Sequence, residues 1–372
     1  MIYFDNAATT RPDAESVSAA QRYLNEDFFN PSALYREGFE VHRALNDARR
    51  RILACIAPQG FELIFTGSGT EADNQVIFSA ARRGNFVTTE GEHAAVYASA
   101  KELARRGMEV RFAHLRADGS VDADDLLSKV DENTSLVSVI HVNNETGAVN
   151  DVAGLAAAVK KKNRRTLFHS DGVQAFGKLS FALPPAVDFY TISAHKIGGV
   201  RGVASLLRKK GVPLAPLLFG GGQENGLRSG TENTFAILQF AEIAEKRMRD
   251  LAAYRRQATR LNACLREQLD RSLFLPLSPE NGSPFILSVS ARGLRGEVLQ
   301  HMANERGLLV GTGSACSSRS RYSRVILACG ADEQTADGVL RLSFFGTEQE
   351  EDACRAAAVL NACAAELREK TR

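Results

Sequence analysis

The sequence has no C-x-x-C pair. Its six cysteines, at positions 55, 264, 316, 329, 354 and 363, are scattered through 372 residues, without the spacing of a metal knuckle or a dithiol redox motif. The first residues, MIYFDNAATT, lack a basic stretch followed by an apolar core, so no signal peptide is expected. No uninterrupted apolar run approaches membrane-spanning length. Charge of one sign is missing too: 46 Lys and Arg stand against 44 Asp and Glu, a net of +2. That gives no general reason to expect nucleic acid or an anionic membrane as partner. Neither an internal repeat nor an extended low-complexity segment is present. These absences predict a soluble, cytoplasmic protein in a reducing compartment.

What is there is length and alternation. A chain of this size suits two domains, or one large domain with an appendage. From about residue 61 to 210, short β-rich runs (FELIFT, NFVTT, EVRFAHL, SLVSVIHV, TLFHS, VDFYTISA) alternate with helical patterns. Such alternation predicts an α/β fold, a mostly parallel sheet with helices on both faces. After residue 250 come a long polar helix, the turn-rich LPLSPENGSP and the strands FILSVSA, GLLVG and GVLRLSFF, which predict a smaller α+β domain. A last helix from about 348 carries Ala353, Ala357, Leu360, Ala364 and Leu367 on a narrow inner face, with Cys354 and Cys363 beside it as expected core filler. The basic run Lys160-Lys161-Lys162-Asn163-Arg164-Arg165 is expected to close an exposed helix end.

Polar residues gather where the strands end, the edge at which open α/β sheets bind ligands. FYTISAHKIGG ends a buried strand with His195 and Lys196. A lysine withdrawn from water there has a lowered pKa and suits Schiff-base chemistry with a carbonyl cofactor, although a lysine snorkelling from a strand end is the plain alternative. ELIFTGSGTEADN runs through Gly67-Ser68-Gly69-Thr70 into a helix, either a phosphate cradle or a tight turn; it lacks the dinucleotide fingerprint and the Walker lysine. LVSVIHVNNETG ends in Asn143-Asn144-Glu145, and TLFHSDGVQ ends in Asp171 and Gln174. Asp171 either faces a protonated pyridine nitrogen or caps its own turn. A separation of 25 positions leaves room for one crossover and a further strand, so Asp171 and Lys196 can end neighbouring strands. His93, at a helix start, is either a surface residue or a ring that stacks on a flat cofactor and moves protons.

Cys316 stands in GTGSACSSRSRYSR, a Gly- and Ser-rich stretch with Arg319, Arg321 and Arg324 downstream. That setting favours thiolate and nucleophilic attack. Cys329, in VILAC, reads as an ordinary buried thiol.

Taken together, YFDNAATT, TGSGTEADN, EHAAV, HVNNETG, SDGVQ, SAHK, GGGQENGLRSGT and GSACSS resemble, in order and approximate spacing, the cysteine desulfurases, fold type I pyridoxal phosphate enzymes of the class V aminotransferase group. GSACSS resembles their long-loop subgroup. The resemblance implies a large cofactor-binding domain over 15–250 and a small domain from 1–14 and 251–372 carrying the cysteine. It implies that Lys196 holds pyridoxal 5'-phosphate as a Schiff base and moves the substrate's α proton, that Asp171 keeps the pyridine nitrogen protonated, that Gln174 bonds the ring hydroxyl, and that His93 stacks on the ring and shuttles protons. Gly69 and Thr70, with Ser193 and His195, would bind the phosphate. Thr231, of RSGT, would reach the phosphate in a neighbouring subunit, which implies a homodimer with shared sites. Asn144 and Arg341 would orient the substrate carboxylate. Cys316 would take sulfur from L-cysteine as a persulfide, release alanine, and pass the sulfur to a protein acceptor in iron–sulfur cluster assembly or thiolation. No metal is implied. A transaminase would share the cofactor, but Cys316 argues against it. The chain departs from the pattern at Ala194, Gly198 and Val200, beside the lysine.

Overall fold

The computed structural model describes residues 1–56, 59–313 and 322–371. β1 (Ile2–Phe4) opens the chain, and the β-rich runs that follow form β2 (Phe61–Thr66), β3 (Asn85–Thr89), β4 (Glu109–Ala113), β5 (Thr134–Ser138), β6 (Leu167–Asp171), β7 (Phe189–Ser193) and β8 (Ala204–Lys209). β2 to β8 make one sheet in the order β2-β8-β7-β6-β5-β3-β4. β3 to β7 run parallel, and β8 is antiparallel to both its neighbours. β3 and β7 are buried at every residue, because the crossover helices cover both faces. Apolar residues from Ala20 to Ala244 fill the space on either side.

The remaining strands, β9 (Phe274–Pro276), β10 (Ile286–Ala291), β11 (Leu308–Thr312) and β12 (Val339–Ser343), form a second sheet with β1 in the order β1-β11-β12-β10-β9. β1 pairs parallel with β11. The start of the chain is therefore stitched into the sheet built by its end, and residues just after β1 are led back across to the first sheet. A second core joins Ile2 and Phe4 to residues from Leu261 to Ala364. The last helix, Glu350–Lys370, buries Ala353, Ala357, Leu360 and Ala364 as its spacing predicts, with Ala356 and Cys363 added.

Three details differ from the sequence reading. The short strand β9 lies in the turn-rich stretch. Lys160 is half-buried, donating to the Thr166 carbonyl and pairing with Asp188, so it ties strand ends together instead of only closing a helix. Cys354 is not core filler: it is half-exposed, facing Cys264. Among the described residues no helix is long and apolar enough to cross a membrane.

Candidate active site

β6 ends at Asp171 and β7 at Ser193, paired in parallel so that Asp171 lies level with Thr191. β2 is antiparallel to β8, which is antiparallel to β7, so β2 ends at the same edge. Three chain exits therefore meet there. From β7 the chain makes one 3-10 turn, Ala194–Lys196, which sets His195 and Lys196 beyond the strand. From β2 it turns at Ser68, whose hydroxyl accepts from the Glu71 amide, into the helix Gly69–Ala80. The first-turn N–H groups of that helix have no intrahelical partner. Gly69 lets the helix start lie close to the end of β6: a Cβ there would stand 3.1 Å from a Val173 methyl.

A cavity of about 310 Å³ lies at this edge, lined by Gly69, Thr70, His93, Asn144, Asp171, Gln174, Ser193, His195, Lys196 and Arg341 among others. Every predicted site residue within the described residues, except Thr231, lines this one space. Thr231 is exposed. The stretch leading to it is pinned beneath the helix Gly69–Ala80 by Arg228, which pairs with Glu71 at 2.8 Å. Cys316 lies outside the described residues; the residues before its stretch pair with a lining residue, and those after it contact chain neighbours of lining residues. Gly311 in β11 is paired with Arg341 in β12. Beyond it, the Ser323 hydroxyl donates to the Glu145 carboxylate, and Arg324 donates to the Glu92 carbonyl at 2.6 Å with its guanidinium 3.8 Å from the Tyr97 ring centroid.

Lys196 Nζ donates to the carbonyls of Ala7 and Ala8, at 2.6 and 2.7 Å, so the segment after β1 forms its ceiling. Gln174 is oriented from two sides: its Nε2 donates to the Ala7 carbonyl at 2.9 Å and its Oε1 accepts from Lys178 at 2.6 Å. Lys178 is fully buried, and desolvation followed by repulsion from Lys196 pushes its pKa well down. His93 caps the helix Ala94–Arg105, its Nδ1 accepting from the Ala95 amide at 3.2 Å; in the neutral ring the proton is therefore on Nε2. His195 stays neutral, pushed down to about 4 by burial and then by Lys196 and Lys178.

The floor is acidic. Asp171 is buried, its carboxylate accepting from the Val173 amide at 2.9 Å, and burial, then Asp73, raises its pKa. Asp73 is also buried and pushed up to about 6 by desolvation, with Oδ1 lacking a hydrogen bond among the described residues. Its neighbour His169, at 3.5 Å, is held down to about 4 by burial and so is no cation. One ligand atom from each of Asp73, His93 and Asp171 lies within 4.8 Å of the others. This is a buried negative floor that lacks a positive partner among these groups, a demand that a protonated ring nitrogen meets.

At the opposite end Arg341 is buried, donating to the Asn144 carbonyl and to Asp5, both at 2.8 Å, while its Nε has no hydrogen-bond partner among the described residues. Gly311 admits this pair, since a Cβ there would sit 2.7 Å from the Asp5 carboxylate.

Sequence reasoning missed Asp5, Asp73 and Lys178. Asp73 was open to detection, since it follows Thr70 by three residues on a helix and so shares its face, and Lys178 follows Gln174 by four. Asp5 carried no such signal, because its role depends on β1 joining the second sheet.

The comparisons with known proteins agree over nearly the whole chain. The class-V aminotransferase family matches residues 2–355. A cysteine desulfurase of Sinorhizobium fredii is 36% identical over 380 residues, covering 99% of this chain and 97% of that protein. Among solved structures, a NifS-like protein superposes with a TM-score of 0.92 at 33% identity, over 98% of this chain and 99% of that one. The structure described as SspA in complex with cysteine gives 0.82 at 26%, over 94% and 100%. The chain belongs to the class-V aminotransferase family, among its cysteine desulfurases.

Proposed function

We infer that the protein is a pyridoxal 5'-phosphate-dependent desulfurase that converts L-cysteine to L-alanine and leaves the sulfur as a persulfide on Cys316. The observation that carries this reading is the convergence of Lys196, Asp171 and His93 on one cavity in a chain whose relatives are cysteine desulfurases. A solved neighbour described in complex with cysteine supports that amino acid as substrate.

The residues present fit the cofactor. The Gly69–Thr70 helix start, with Ser193 and neutral His195, suits its phosphate, the buried Asp171 suits a protonated ring nitrogen, and the Nε2 of Gln174, fixed by Lys178 and Ala7, suits the ring hydroxyl. Bound there, the cofactor supplies an electron sink for charge developing at the substrate's Cα. The Lys196 amine is the attachment point and then the base that takes the Cα proton. His93 covers the ring face and carries protons. Arg341, whose Nε has no partner among the described residues, and Asn144 hold the substrate carboxylate. The Cys316 thiolate then attacks the substrate sulfur: an S–S bond forms, the Cβ–S bond breaks, and its electron pair returns to carbon, which is protonated to give alanine.

In this reading a second copy completes the site. Phe28, Leu34, Tyr35, Phe39 and Phe219 are large apolar side chains left exposed on one chain, which suits burial in a homodimer, and exposed Thr231 then serves the partner's phosphate. The persulfide goes to a cytoplasmic sulfur acceptor, in iron–sulfur cluster assembly or thiolation.

The test is to give the purified protein L-cysteine and a reductant and to measure alanine and sulfide together. Equal release is expected, lost in Lys196→Ala and in Cys316→Ser. Undiminished sulfide release by Cys316→Ser would sink the persulfide step.

A further inference from the structure

The helices Leu251–Gln268 and Glu350–Lys370 pack side by side, and small residues on the second, Ala353 and Ala357, allow a close approach. On their outer seam Cys264 and Cys354 face each other with sulfurs 3.4 Å apart. Both are half-exposed. No residue assigned to the cavity above lies in either helix.

We propose that Cys264 and Cys354 form a redox-active dithiol that small disulfides oxidise to an intramolecular cross-link between these two helices. The two sulfurs are not equivalent. Cys264 is pushed up to about 11, by burial first and then by its hydrogen bond to Cys354, with Glu350 and Glu267 adding to it. It therefore keeps its proton. Either sulfur can donate to the other, and Cys354 in addition accepts from the Gln268 amide at 3.3 Å. Cys354 is the attacking thiol and Cys264 the resolving one.

The exchange balances with a low-molecular-weight disulfide as oxidant. Cys354 loses its proton to solvent and attacks one sulfur of the disulfide; that S–S bond breaks, and one small thiolate leaves. Cys264 then loses its proton and attacks Cys354 in the mixed disulfide, which expels the second small thiolate and forms the 264–354 bond. Two protein thiols are oxidised and one small disulfide is reduced. The sulfurs need to close from 3.4 Å to about 2.05 Å, within the reach of rotamer adjustment on two helix flanks.

The loop closed by this bond runs from 264 to 354 and contains β9 to β12 and Cys316. Cross-linking restricts the unfolded chain over that loop, so oxidation is expected to raise the thermal midpoint by about 5 °C or more while leaving the Lys196 cavity intact.

The experiment uses the full-length protein, reduced and desalted, then incubated with oxidised glutathione, alkylated and read by peptide mass spectrometry. A 264–354 linked peptide, reversed by dithiothreitol, is expected together with the higher midpoint. Cys264→Ser should trap glutathione on Cys354, and Cys354→Ser should leave Cys264 largely unmodified; both variants should desulfurate cysteine at the reduced wild-type rate. The proposal is overturned if wild-type protein accumulates the glutathione adduct on Cys354 without resolution, if both thiols stay reduced while other cysteines react, or if the two single variants trap glutathione equally.

Discussion

Gly172, between Asp171 and Gln174, is expected to be irreplaceable for a reason outside the turn itself. A Cβ built on it would stand 2.0 Å from Cζ of Tyr190 and 2.2 Å from its hydroxyl oxygen. The ring cannot retreat freely. Tyr190 is fully buried on β7, its hydroxyl is 2.7 Å from His141 Nδ1, and Phe181 packs against both rings, at 4.7 Å from His141 and 5.8 Å from Tyr190. Gly172→Ala must therefore displace a locked ring by more than 1 Å, at an overpacking cost of about 1–3 kcal/mol, plus about 1 kcal/mol for a hydrogen bond bent or lost. Tyr190→Leu removes the ring, leaves His141 without its partner and opens a void, so it is also destabilising, by about 3 kcal/mol. Together the two changes relieve each other, since the new methyl fills part of the space the ring vacated. The double variant should be about 2 kcal/mol more stable than the sum of the singles predicts, read from urea midpoints at constant m-value. The Gly172 amide donates to Thr191 and its carbonyl receives the Ala175 and Phe176 amides, all at 2.9 Å, so Gly172→Ala alone should also shift Asp171 and Gln174 and weaken binding of the proposed pyridoxal phosphate. Additive singles, or a Gly172→Ala protein as stable as the wild type, would refute the reasoning.

Glu92 is buried, its Oε1 held by Thr89 and the Ile140 amide and its Oε2 unpartnered among the described residues; burial pushes it up to about 8. An acid whose folded pKa lies above its unfolded value stabilises at low pH and loses that contribution as pH rises. Relative to Glu92→Gln, the wild type should therefore lose about 1.4 kcal/mol per pH unit between roughly pH 5 and 8, and parallel stability curves across that window would count against it. Lys178→Met removes the buried amine that donates to Gln174 Oε1 at 2.6 Å, so Gln174 loses one of its two anchors and the proposed cofactor should bind less tightly in a pyridoxal phosphate titration; unchanged affinity would show that the Ala7 contact alone holds Gln174 in place. Arg247 is fully buried, donating to the carbonyls of Gly177 and Phe345, each at 2.7 Å, with its guanidinium 3.9 Å from the Tyr254 ring centroid. Arg247→Met leaves these carbonyls unpaired and should cost about 3 kcal/mol in chemical denaturation; a loss below about 1 kcal/mol would mean that water replaces it.

What was legible in the sequence follows from how local each signal is. The alternation of strands and helices, the adjacency of Asp171 and Lys196, and the small-residue face of the last helix are periodic or short-range features, and the structure shows each of them. The residues that were missed act through contacts whose partners lie far away in the chain. Asp5 meets Arg341 across 336 positions, the Ala7 carbonyl meets Lys196 across 189, and Cys264 meets Cys354 across 90. No periodicity encodes such pairs; the pairing of β1 with β11 and the packing of one helix on another create them. Asp73 is the intermediate case. Its place on the Thr70 face was readable, but a carboxylate on a helix is ordinarily solvated, and only the burial of that helix against the strand ends makes it part of an acidic floor. The same distinction bears on Tyr190, which reads as one more apolar strand residue until its ring is found under the Cα of Gly172. A glycine between an acid and a glutamine looks like turn chemistry, yet the three atoms nearest to a Cβ built there all belong to Tyr190 on the neighbouring strand. Its tolerance to substitution is thus a property of Tyr190, and exchanging both residues together is the change that separates the two explanations.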